Sequence, residues 1–106
     1  KTAVLYHVQK QKARLAVDGK ALVAQAFQAS VVSALVDKSL SACKKKKVKT
    51  LVVGGGVAAN SALRERLSAE AREQGVTVFF PPVSLCIDNA AMVAGYAYHH
   101  DHVQTK

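Results

Sequence analysis

The residues that best suggest chemistry are a run of three glycines, Gly54–Gly56, which follows an apolar stretch and precedes Asn60. Glycines lack a Cβ, so the backbone can take positive φ and a ligand can approach the main chain closely. From Ala58 the pattern becomes helical, with Asn60 or Ser61 near the helix start. The N–H groups of the first turn and the helix dipole then point into the glycine turn, which favours a phosphate or another anion.

A second polar pair, Asp88 and Asn89, precedes the last helical stretch. Both stretches begin helices that follow a strand, so both helix starts are predicted at one sheet edge, where open α/β sheets bind ligands. Asn60 offers a donor and an acceptor for a ribose hydroxyl or a base edge. Asp88 is a hard oxygen ligand for a metal ion beside a phosphate. A plain N-cap role explains Asp88 equally well.

The glycine turn can be compared with two known nucleotide motifs. Residues 54–59 match G-x-G-x-x-G/A, the dinucleotide fingerprint, which also needs an acidic residue about 20 positions on, after the next strand. That strand ends in Phe79-Phe80-Pro81-Pro82 without a carboxylate, and Glu73 belongs to the preceding helix. A P-loop is excluded because no G-K-[ST] follows the glycines. An NAD-binding oxidoreductase domain is therefore a weaker alternative.

A strand, a helix and a second strand position these residues. Leu51–Val53 and Val76–Phe80 are apolar runs typical of strands covered on both faces. A helix is predicted over Ala58–Gln74, with Gly75 as its C-terminal stop and charged residues such as Arg64 mostly in solvent. The apolar stripe of this helix consists of Leu63, Leu67 and Ala71. The order predicts a βαβ unit with parallel strands and an α/β fold.

Three more helices are predicted around this unit. The first is a short amphipathic helix over Lys1–Lys12. The longest pattern, Ala21–Cys43, is apolar over more than half of its circumference, which indicates a largely buried helix. Its polar residues, such as Gln28, either bond to neighbours in the core or face a cleft. The last helix runs from Ala90 to about Tyr98, and the polar tail from His99 is predicted to fray.

The chain has 106 residues, half of them apolar, which fits one compact domain or part of a larger one. No apolar run of about 18 residues is present, so neither a transmembrane helix nor a membrane partner is expected. The first residue is Lys1 rather than Met, and no signal peptide is visible. We therefore expect a fragment of a cytoplasmic protein, an organellar location being the alternative.

The net charge is +8, from 15 basic and 7 acidic residues. This charge suggests an anionic partner such as nucleic acid or a nucleotide phosphate, although a lysine-rich soluble surface explains it equally well. The run Lys44–Lys47 ends the long helix, where cations suit the helix dipole, and it also suggests an RNA contact. Cys43 and Cys86 form no CxxC pair, which predicts free, buried thiols in a reducing compartment.

Several stretches resemble the TsaD family, the tRNA N6-adenosine threonylcarbamoyltransferases long named O-sialoglycoprotein endopeptidases. The C-terminal signature of that family is similar to Gly55-Gly56-Val57-Ala58-Ala59-Asn60-Ser61-x-Leu63-Arg64 and to Phe79-Phe80-Pro81-Pro82 followed by Cys86-x-Asp88-Asn89-Ala90-Ala91-Met92-x-Ala94. Lys1-Thr2-Ala3-Val4 resembles the continuation of the family's Ser-Gly-Leu-Lys stretch. Phe27-Gln28-Ala29 with Val31-Val32 resembles its long helix.

The resemblance implies the actin/Hsp70/sugar-kinase (ASKHA) fold, which has two lobes with a nucleotide cleft between them. Residues 1–106 would form part of the C-terminal lobe, without the N-terminal lobe. The implied reaction transfers a threonylcarbamoyl group from threonylcarbamoyl-adenylate to N6 of adenosine 37 in tRNAs that read ANN codons. The implied partners also include companion proteins similar to TsaB and TsaE in bacteria.

The same resemblance implies roles for four residues. Gly55, Gly56 and Asn60 would contact the nucleotide part of the substrate. Asp88 would be the third ligand of one divalent metal ion, iron or zinc. The family's other two ligands belong to an H-x-x-x-H motif that this chain lacks. The metal site is therefore expected to be incomplete here, and the chain alone is expected to be inactive.

The histidines and cysteines of the chain suggest no further catalytic group. His7 stands alone on the first helix, whereas His99, His100 and His102 lie close together in the tail and are expected to be solvated rather than to bind a metal. No nucleophile or general base is identifiable, and Cys86 has no histidine partner in register, which gives a cysteine peptidase little support. A non-catalytic nucleotide-binding or assembly module is the main alternative to a transferase fragment.

Overall fold

The computed structural model describes residues 2–10 and 17–104. The helices of this described part are α1 (Thr2–Lys10), α2 (Val17–Lys46), α3 (Ser61–Glu73) and α4 (Ala90–Gln104). Its strands are β1 (Thr50–Val52) and β2 (Thr77–Phe79), and its 3-10 turns are Gly56–Ala59 and Val83–Leu85. The predicted order of helices and strands is confirmed.

The two strands form a parallel sheet, as predicted for a βαβ unit. Their paired residues are Thr50 with Thr77, Leu51 with Val78, and Val52 with Phe79. Beyond these pairs, Val53 N donates to Phe79 O at 2.9 Å, and Thr77 N donates to Lys49 O at 2.8 Å. The glycine turn therefore leaves the carboxyl end of β1, and the lysine run enters its amino end.

The connecting helix α3 begins at Ser61, three residues later than predicted. Residues 56–59 form a tighter 3-10 turn, and Asn60 has an extended backbone that caps the helix. At the other end Gly75 has φ 68°, which suits a residue without a Cβ, and Val76 N donates to Ala71 O at 2.8 Å. Gly75 therefore ends the α3 segment, and the prediction of a C-terminal stop at this residue is confirmed.

The core lies between α2, α3 and one face of the sheet. Its fully buried members are Val32, Val36, Leu40, Leu63, Leu67 and Ala71. The partly buried residues that pack against it include Leu51, Val53, Val76, Val78 and Phe80. The predicted stripe of α3 is therefore confirmed, because all three of its residues are in the core.

The other face of the sheet is open, so the prediction of strands covered on both faces is wrong for the described chain. Val52 is 75% exposed and Phe79 is 56% exposed. Side chains alternate along a strand, and α2 and α3 pack only against the face that carries Leu51, Val53 and Val78. Val52 and Phe79 are opposite each other in the register and form an apolar patch on the open face.

Helix α2 is also less buried than predicted. Val32, Val36, Leu40 and Cys43 form a narrow buried stripe. Large apolar residues elsewhere on the helix, such as Leu22 at 65%, are exposed, because no described element covers them. The helix ends within the lysine run, and Lys47 has φ 55°, so the predicted C-terminal end is confirmed.

Within α2, the span Gly19–Lys46 is long and apolar enough to cross a membrane by length and composition, although it contains no unbroken apolar run of that length. This is weak evidence, since the core helix of a soluble protein passes the same test. Of the 18-residue window that passes the test, 11% is buried, and the stripe of Val32, Val36 and Leu40 in the same span packs in the core with residues of α3.

Helix α4 continues to Gln104, so the predicted end near Tyr98 is wrong and the tail from His99 is helical up to that residue. The radius of gyration is 18.6 Å, well above the roughly 13 Å of a compact domain of about 100 residues. Exposed apolar residues also line α1 and α4, including Leu5, Met92 and Val93. The described chain is therefore an extended arrangement with large apolar surfaces.

Candidate functional site

The glycine turn presents bare main chain to solvent. A Cβ placed on Gly54, Gly55 or Gly56 would have no atom within 4 Å. Gly55 has φ 86° and ψ 173°, a conformation that is essentially confined to glycine. Within the described part of the chain, the three glycine N–H groups donate no hydrogen bond. These donors are therefore available to an anion that approaches the turn.

The 3-10 turn that follows holds this loop in place. Ala58 N donates to Gly55 O at 2.9 Å, and Asn60 N donates to Val57 O at 3.0 Å. Ala58 is 1% exposed and anchors the turn against the protein. The glycine N–H groups are therefore presented by a fixed loop, which reduces the ordering needed when a ligand binds.

Asn60 joins the helix start to α2. Its Oδ1 accepts from Leu63 N at 3.0 Å, which makes Asn60 rather than Ser61 the N-cap of α3. Its Nδ2 donates to Gln28 Oε1 at 3.3 Å. Gln28 is an exposed residue, so it lies outside the core, and its carboxamide faces the start of α3. A carboxamide has two N–H groups and two acceptor positions, so Asn60 keeps capacity for a ligand.

A groove of about 250 Å³ lies between α2 and the start of α3. Its lining residues are Ala24, Phe27, Gln28, Val31, Val32, Leu35, Val57, Asn60 and Leu63. Gln28 and Asn60 supply its polar side chains, and the rest of the lining is apolar. Ligand sites are usually apolar clefts with a few polar groups and volumes of roughly 300–1,000 Å³, so the groove resembles one wall of such a site.

Asp88 is exposed and does not cap α4. Asn89 Oδ1 accepts from Met92 N at 2.9 Å, and Asn89 Nδ2 donates to Ile87 O at 2.9 Å. Asn89 is therefore the N-cap, and the N-cap alternative for Asp88 is wrong. No hydrogen bond or ion pair of the described residues involves the Asp88 carboxylate. This carboxylate is accessible to a ligand or an ion.

The described residues do not form a metal site by themselves. No three His, Cys, Asp or Glu residues among them come close enough to hold an ion. Asp88 supplies one accessible hard oxygen, which fits a single ligand of a shared ion and no more. The side chain of His102 lies outside the described residues. Any metal bound through Asp88 would need further ligands from elsewhere.

The other tail histidines lie on α4 beside tyrosines. The rings of His99 and Tyr98 are 5.4 Å apart between centroids, and those of His100 and Tyr96 are 5.6 Å apart. Both histidines are exposed, as predicted for solvated side chains. His7 is exposed on α1. Among the described residues, these histidines and Asp88 do not form a group of three or more ligands that could hold a metal ion.

Arg64 is the site residue that sequence reasoning missed. Its Nε donates to Ala58 O at 2.5 Å, while its Nη2 donates to Pro81 O at 2.5 Å and to Cys86 Sγ at 3.3 Å. The guanidinium carbon also lies 4.9 Å from the centroid of the Phe80 ring. The prediction of a mostly solvated side chain is wrong, because the guanidinium bridges two loops. The one feature of the sequence that pointed to this bridging role is the position of Arg64 in the segment that resembles the family signature.

Both thiols are free and buried, as predicted. Cys43 and Cys86 are each 3% exposed. Cys86 Sγ donates to Pro82 O at 3.6 Å and accepts from Arg64. The Cys86 thiol is therefore enclosed by a carbonyl and a guanidinium.

Arg66 illustrates a charged residue of α3 that does face solvent. Its Nε lies 2.7 Å from Glu70 Oε1, and both side chains are substantially exposed. The hydrogen bond to Glu70 raises the pKa of Arg66 above its usual value. Exposed pairs of this kind add little stability, so Arg66 is a suitable control for Arg64.

The segment that carries these residues matches a known family. A family model described as "TsaD: tRNA N6-adenosine threonylcarbamoyltransferase" matches residues 1–95. The chain belongs to the TsaD family. The TsaD match includes the glycine turn, Asn60, Arg64 and Asp88, and it ends within α4.

Similar proteins carry the name tRNA N6-adenosine threonylcarbamoyltransferase. One from Clostridium botulinum (strain Hall) is 48% identical over 98 residues, which cover 92% of this chain and 29% of the relative. One from Thiobacillus denitrificans is 51% identical over 94 residues, covering 89% of this chain and 26% of the relative. One from Clostridium perfringens (strain SM101) is 43% identical over 98 residues. This TsaD chain spans less than a third of the length of the first two relatives.

Proposed function

We propose that this chain is the C-terminal portion of a TsaD enzyme that modifies adenosine 37 of tRNAs reading ANN codons. The observation that carries the proposal is the open glycine turn beside Asn60, within a segment that matches the family. The reaction transfers a threonylcarbamoyl group from threonylcarbamoyl-adenylate to N6 of the adenosine. The chain would supply one wall of the site.

The chain would form part of the C-terminal lobe of an ASKHA fold, and the N-terminal lobe would come from outside residues 1–106. The short coverage of the relatives supports this placement. The open face with Val52 and Phe79, and the large radius of gyration, also fit a segment that packs against further structure. The chain by itself would then be inactive.

The glycine turn would hold the nucleotide part of the adenylate. N–H groups of Gly55 and Gly56 would bind the phosphate, assisted by the N-terminus of α3. The remaining donor and acceptor capacity of Asn60 would serve a ribose hydroxyl or a base edge. Because the loop is already fixed by the 3-10 turn, these dipoles would need little reorganisation during the reaction.

Asp88 would be one ligand of an iron or zinc ion, completed by two histidines of an H-x-x-x-H motif outside this chain. When bound, such an ion would neutralise charge on the phosphate and on the carbamoyl group. The accessible carboxylate of Asp88 supports this role. The chain's own contribution would be to present that oxygen from a loop anchored on both sides.

In the transfer, N6 of the adenosine would attack the carbonyl carbon of the threonylcarbamoyl group. A C–N bond would form, the bond from that carbon to the phosphate oxygen would break, and AMP would leave. The proton lost from N6 would pass to a base that this sequence does not identify. The glycine N–H groups would stabilise the negative charge of the departing AMP.

The partners of the enzyme would be tRNA, threonylcarbamoyl-adenylate and, in bacteria, proteins similar to TsaB and TsaE. The charge of +8 supports an anionic partner such as tRNA. The run Lys44–Lys47 lies at the amino end of β1, whereas the glycine turn lies at its carboxyl end. A tRNA contact there would be separate from the nucleotide site. A cytoplasmic location fits the reaction.

The test is formation of N6-threonylcarbamoyladenosine (t6A) in vitro by the full-length protein, with threonylcarbamoyl-adenylate and tRNA as substrates. We expect Asn60→Ala to raise the KM for the adenylate, and the matched control Ser61→Ala, an exposed neighbour, to leave it unchanged. Full-length protein that binds neither the adenylate nor AMP would contradict the proposal.

A non-catalytic nucleotide-binding module is the second candidate. It is favoured by the single carboxylate ligand of the described chain, which cannot hold a catalytic ion alone. It predicts AMP binding without t6A formation, even when the companion proteins are added. The NAD-binding alternative receives no support, since β2 ends at Phe79 and is followed by Phe80 and two prolines.

A further inference from the structure

Two loops carry the proposed ligand groups. The glycine loop is Gly54–Ala59, and the Asp88 loop is Phe80–Asn89. Arg64 on α3 lies between them and donates hydrogen bonds to both. We propose that Arg64 is a positioning residue that fixes the Asp88 loop against the glycine loop. We call the contacts of Arg64 with the two loops the Arg64 clamp. The proposal rests on the proposed function for the roles of Gly55 and Asp88, but the clamp itself rests on the contacts alone.

The geometry of the clamp requires a guanidinium. Nε faces the glycine loop at Ala58 O, whereas Nη2 faces the Asp88 loop at Pro81 O and Cys86 Sγ. Arginine presents several N–H donors in one rigid plane, whereas the three N–H donors of lysine all lie on one nitrogen at the end of a flexible stem. One ammonium group therefore cannot replace contacts on both sides. Packing of the guanidinium over Phe80 also favours the planar group.

The base of the clamp is rigid. Leu63 and Leu67, on either side of Arg64 in the sequence, are 4% and 2% exposed and belong to the core. Arg64 therefore projects from a helix that is held firmly in place. The side chain is half-buried, so its hydrogen bonds are partly shielded from water and are stronger than those of an exposed arginine.

The clamp acts on Asp88 from a short distance along the chain. Cys86, two residues before Asp88, is held by Arg64 and by Pro82 O. Asn89, the next residue, is fixed as the N-cap of α4. Asp88 is thus an exposed residue between two anchors. Loss of the anchor at Cys86 would free the carboxylate to move relative to the glycine loop.

Cys86 provides a direct test, with Cys43 as an internal reference. In the full-length protein, the rates at which iodoacetamide labels the two thiols are measured over a range of pH by peptide mass spectrometry, and the limiting rates at high pH are compared, because a nearby guanidinium also affects the reactivity of a thiol. We expect Arg64→Met to raise the ratio of Cys86 to Cys43 labelling by roughly tenfold or more, because it removes hydrogen bonds to a charged donor. We expect Arg64→Lys to give a similar rise. The control Arg66→Met, on the same helix, should leave the ratio within about twofold.

Three results would overturn the clamp. A parallel rise at both thiols would mean that Arg64 only stabilises the whole fold. No rise at Cys86 would mean that the Asp88 loop is held by other contacts. If Arg64→Lys gave the same labelling ratio as the unsubstituted protein, the positive charge at this position would be sufficient to hold the Asp88 loop, and the planar set of donors would not be needed.

AMP as a probe separates this inference from the proposed function. If the glycine loop binds nucleotide, saturating AMP should slow Cys86 labelling in the unsubstituted protein and have less effect in Arg64→Met. If calorimetry shows no AMP binding, the proposed nucleotide role fails, while the labelling ratio without AMP still decides the clamp. AMP binding with no change at Cys86 in the unsubstituted protein would contradict a mechanical link between the two loops.

Discussion

The Nδ2 atom of Asn60 lies 3.3 Å from Oε1 of Gln28, and this hydrogen bond links the start of α3 to α2. The two residues are 32 positions apart in the sequence. They provide the polar side chains of the groove beside the glycine turn. The link therefore sets the direction in which the Asn60 carboxamide is presented to a ligand.

Substitution of Gln28 tests this orientation. We expect Gln28→Ala to change the free energy of unfolding by at most about 1 kcal/mol, because it removes one exposed hydrogen bond. AMP affinity should fall, since Asn60 is no longer held in place. Calorimetric titration with AMP measures the effect, and Gln25→Ala, an exposed glutamine of the same helix, is the control. Equal affinities for both variants would show that the link is not needed.

Two substitutions of Asn60 separate its cap from its ligand role. Asn60→Ala removes the acceptor for Leu63 N and should cost about 1 kcal/mol of unfolding free energy, as for other N-caps. Asn60→Asp keeps an acceptor at that position, so stability should be close to that of the original. Both changes remove the amide donor and should weaken AMP binding. Urea denaturation and calorimetry measure the two effects, and unchanged binding by Asn60→Asp would contradict a donor role.

Gly55 is the position in the turn where a side chain is least tolerated. A Cβ there would meet no atom, so the cost of Gly55→Ala comes from the backbone conformation at φ 86°. We expect a loss of about 1–3 kcal/mol in unfolding free energy, or a rearranged loop. Gly54 has equal space and no positive φ, so Gly54→Ala is the stability control. Similar thermal unfolding of the two variants would contradict the strain argument.

The metal prediction concerns Asp88. Its carboxylate is exposed and has no hydrogen bond within the described residues, so Asp88→Ala should leave the thermal unfolding temperature nearly unchanged. Iron or zinc content of the full-length protein should fall sharply, as measured by elemental analysis. Glu65→Ala, which removes an exposed carboxylate from α3, should leave the metal content intact. Full metal occupancy after Asp88→Ala would exclude a ligand role.

The sequence predicted the βαβ unit well, because local signals were sufficient. These signals are the two apolar runs, the stripe of Leu63 and Leu67, and the helix stop at Gly75. Each of them depends on residues that are close together in the sequence. The start of α3 was predicted three residues early, since Val57-Ala58-Ala59 suits an α-helix as well as a 3-10 turn. Only the cap at Asn60 separates the two possibilities.

The failures concern contacts between distant segments. Arg64 was predicted in solvent because its partners Pro81 and Cys86 lie 17 and 22 positions further on. The predicted burial of α2 and of both sheet faces is too high. An apolar pattern indicates that a surface is covered, but it does not identify the segment that covers it. Val52 shows this, since its apolar side chain is 75% exposed on the open face of the sheet.

The most direct test of the account is t6A formation by the full-length protein that contains this chain. Threonylcarbamoyl-adenylate, tRNA and the companion proteins are supplied, and the modified nucleoside is measured by mass spectrometry of digested tRNA. We expect t6A from the original protein and a loss of t6A with Gly55→Val, since a branched side chain would force the loop out of its conformation. Undiminished t6A from the folded Gly55→Val protein would contradict the claim that the glycine turn holds the adenylate.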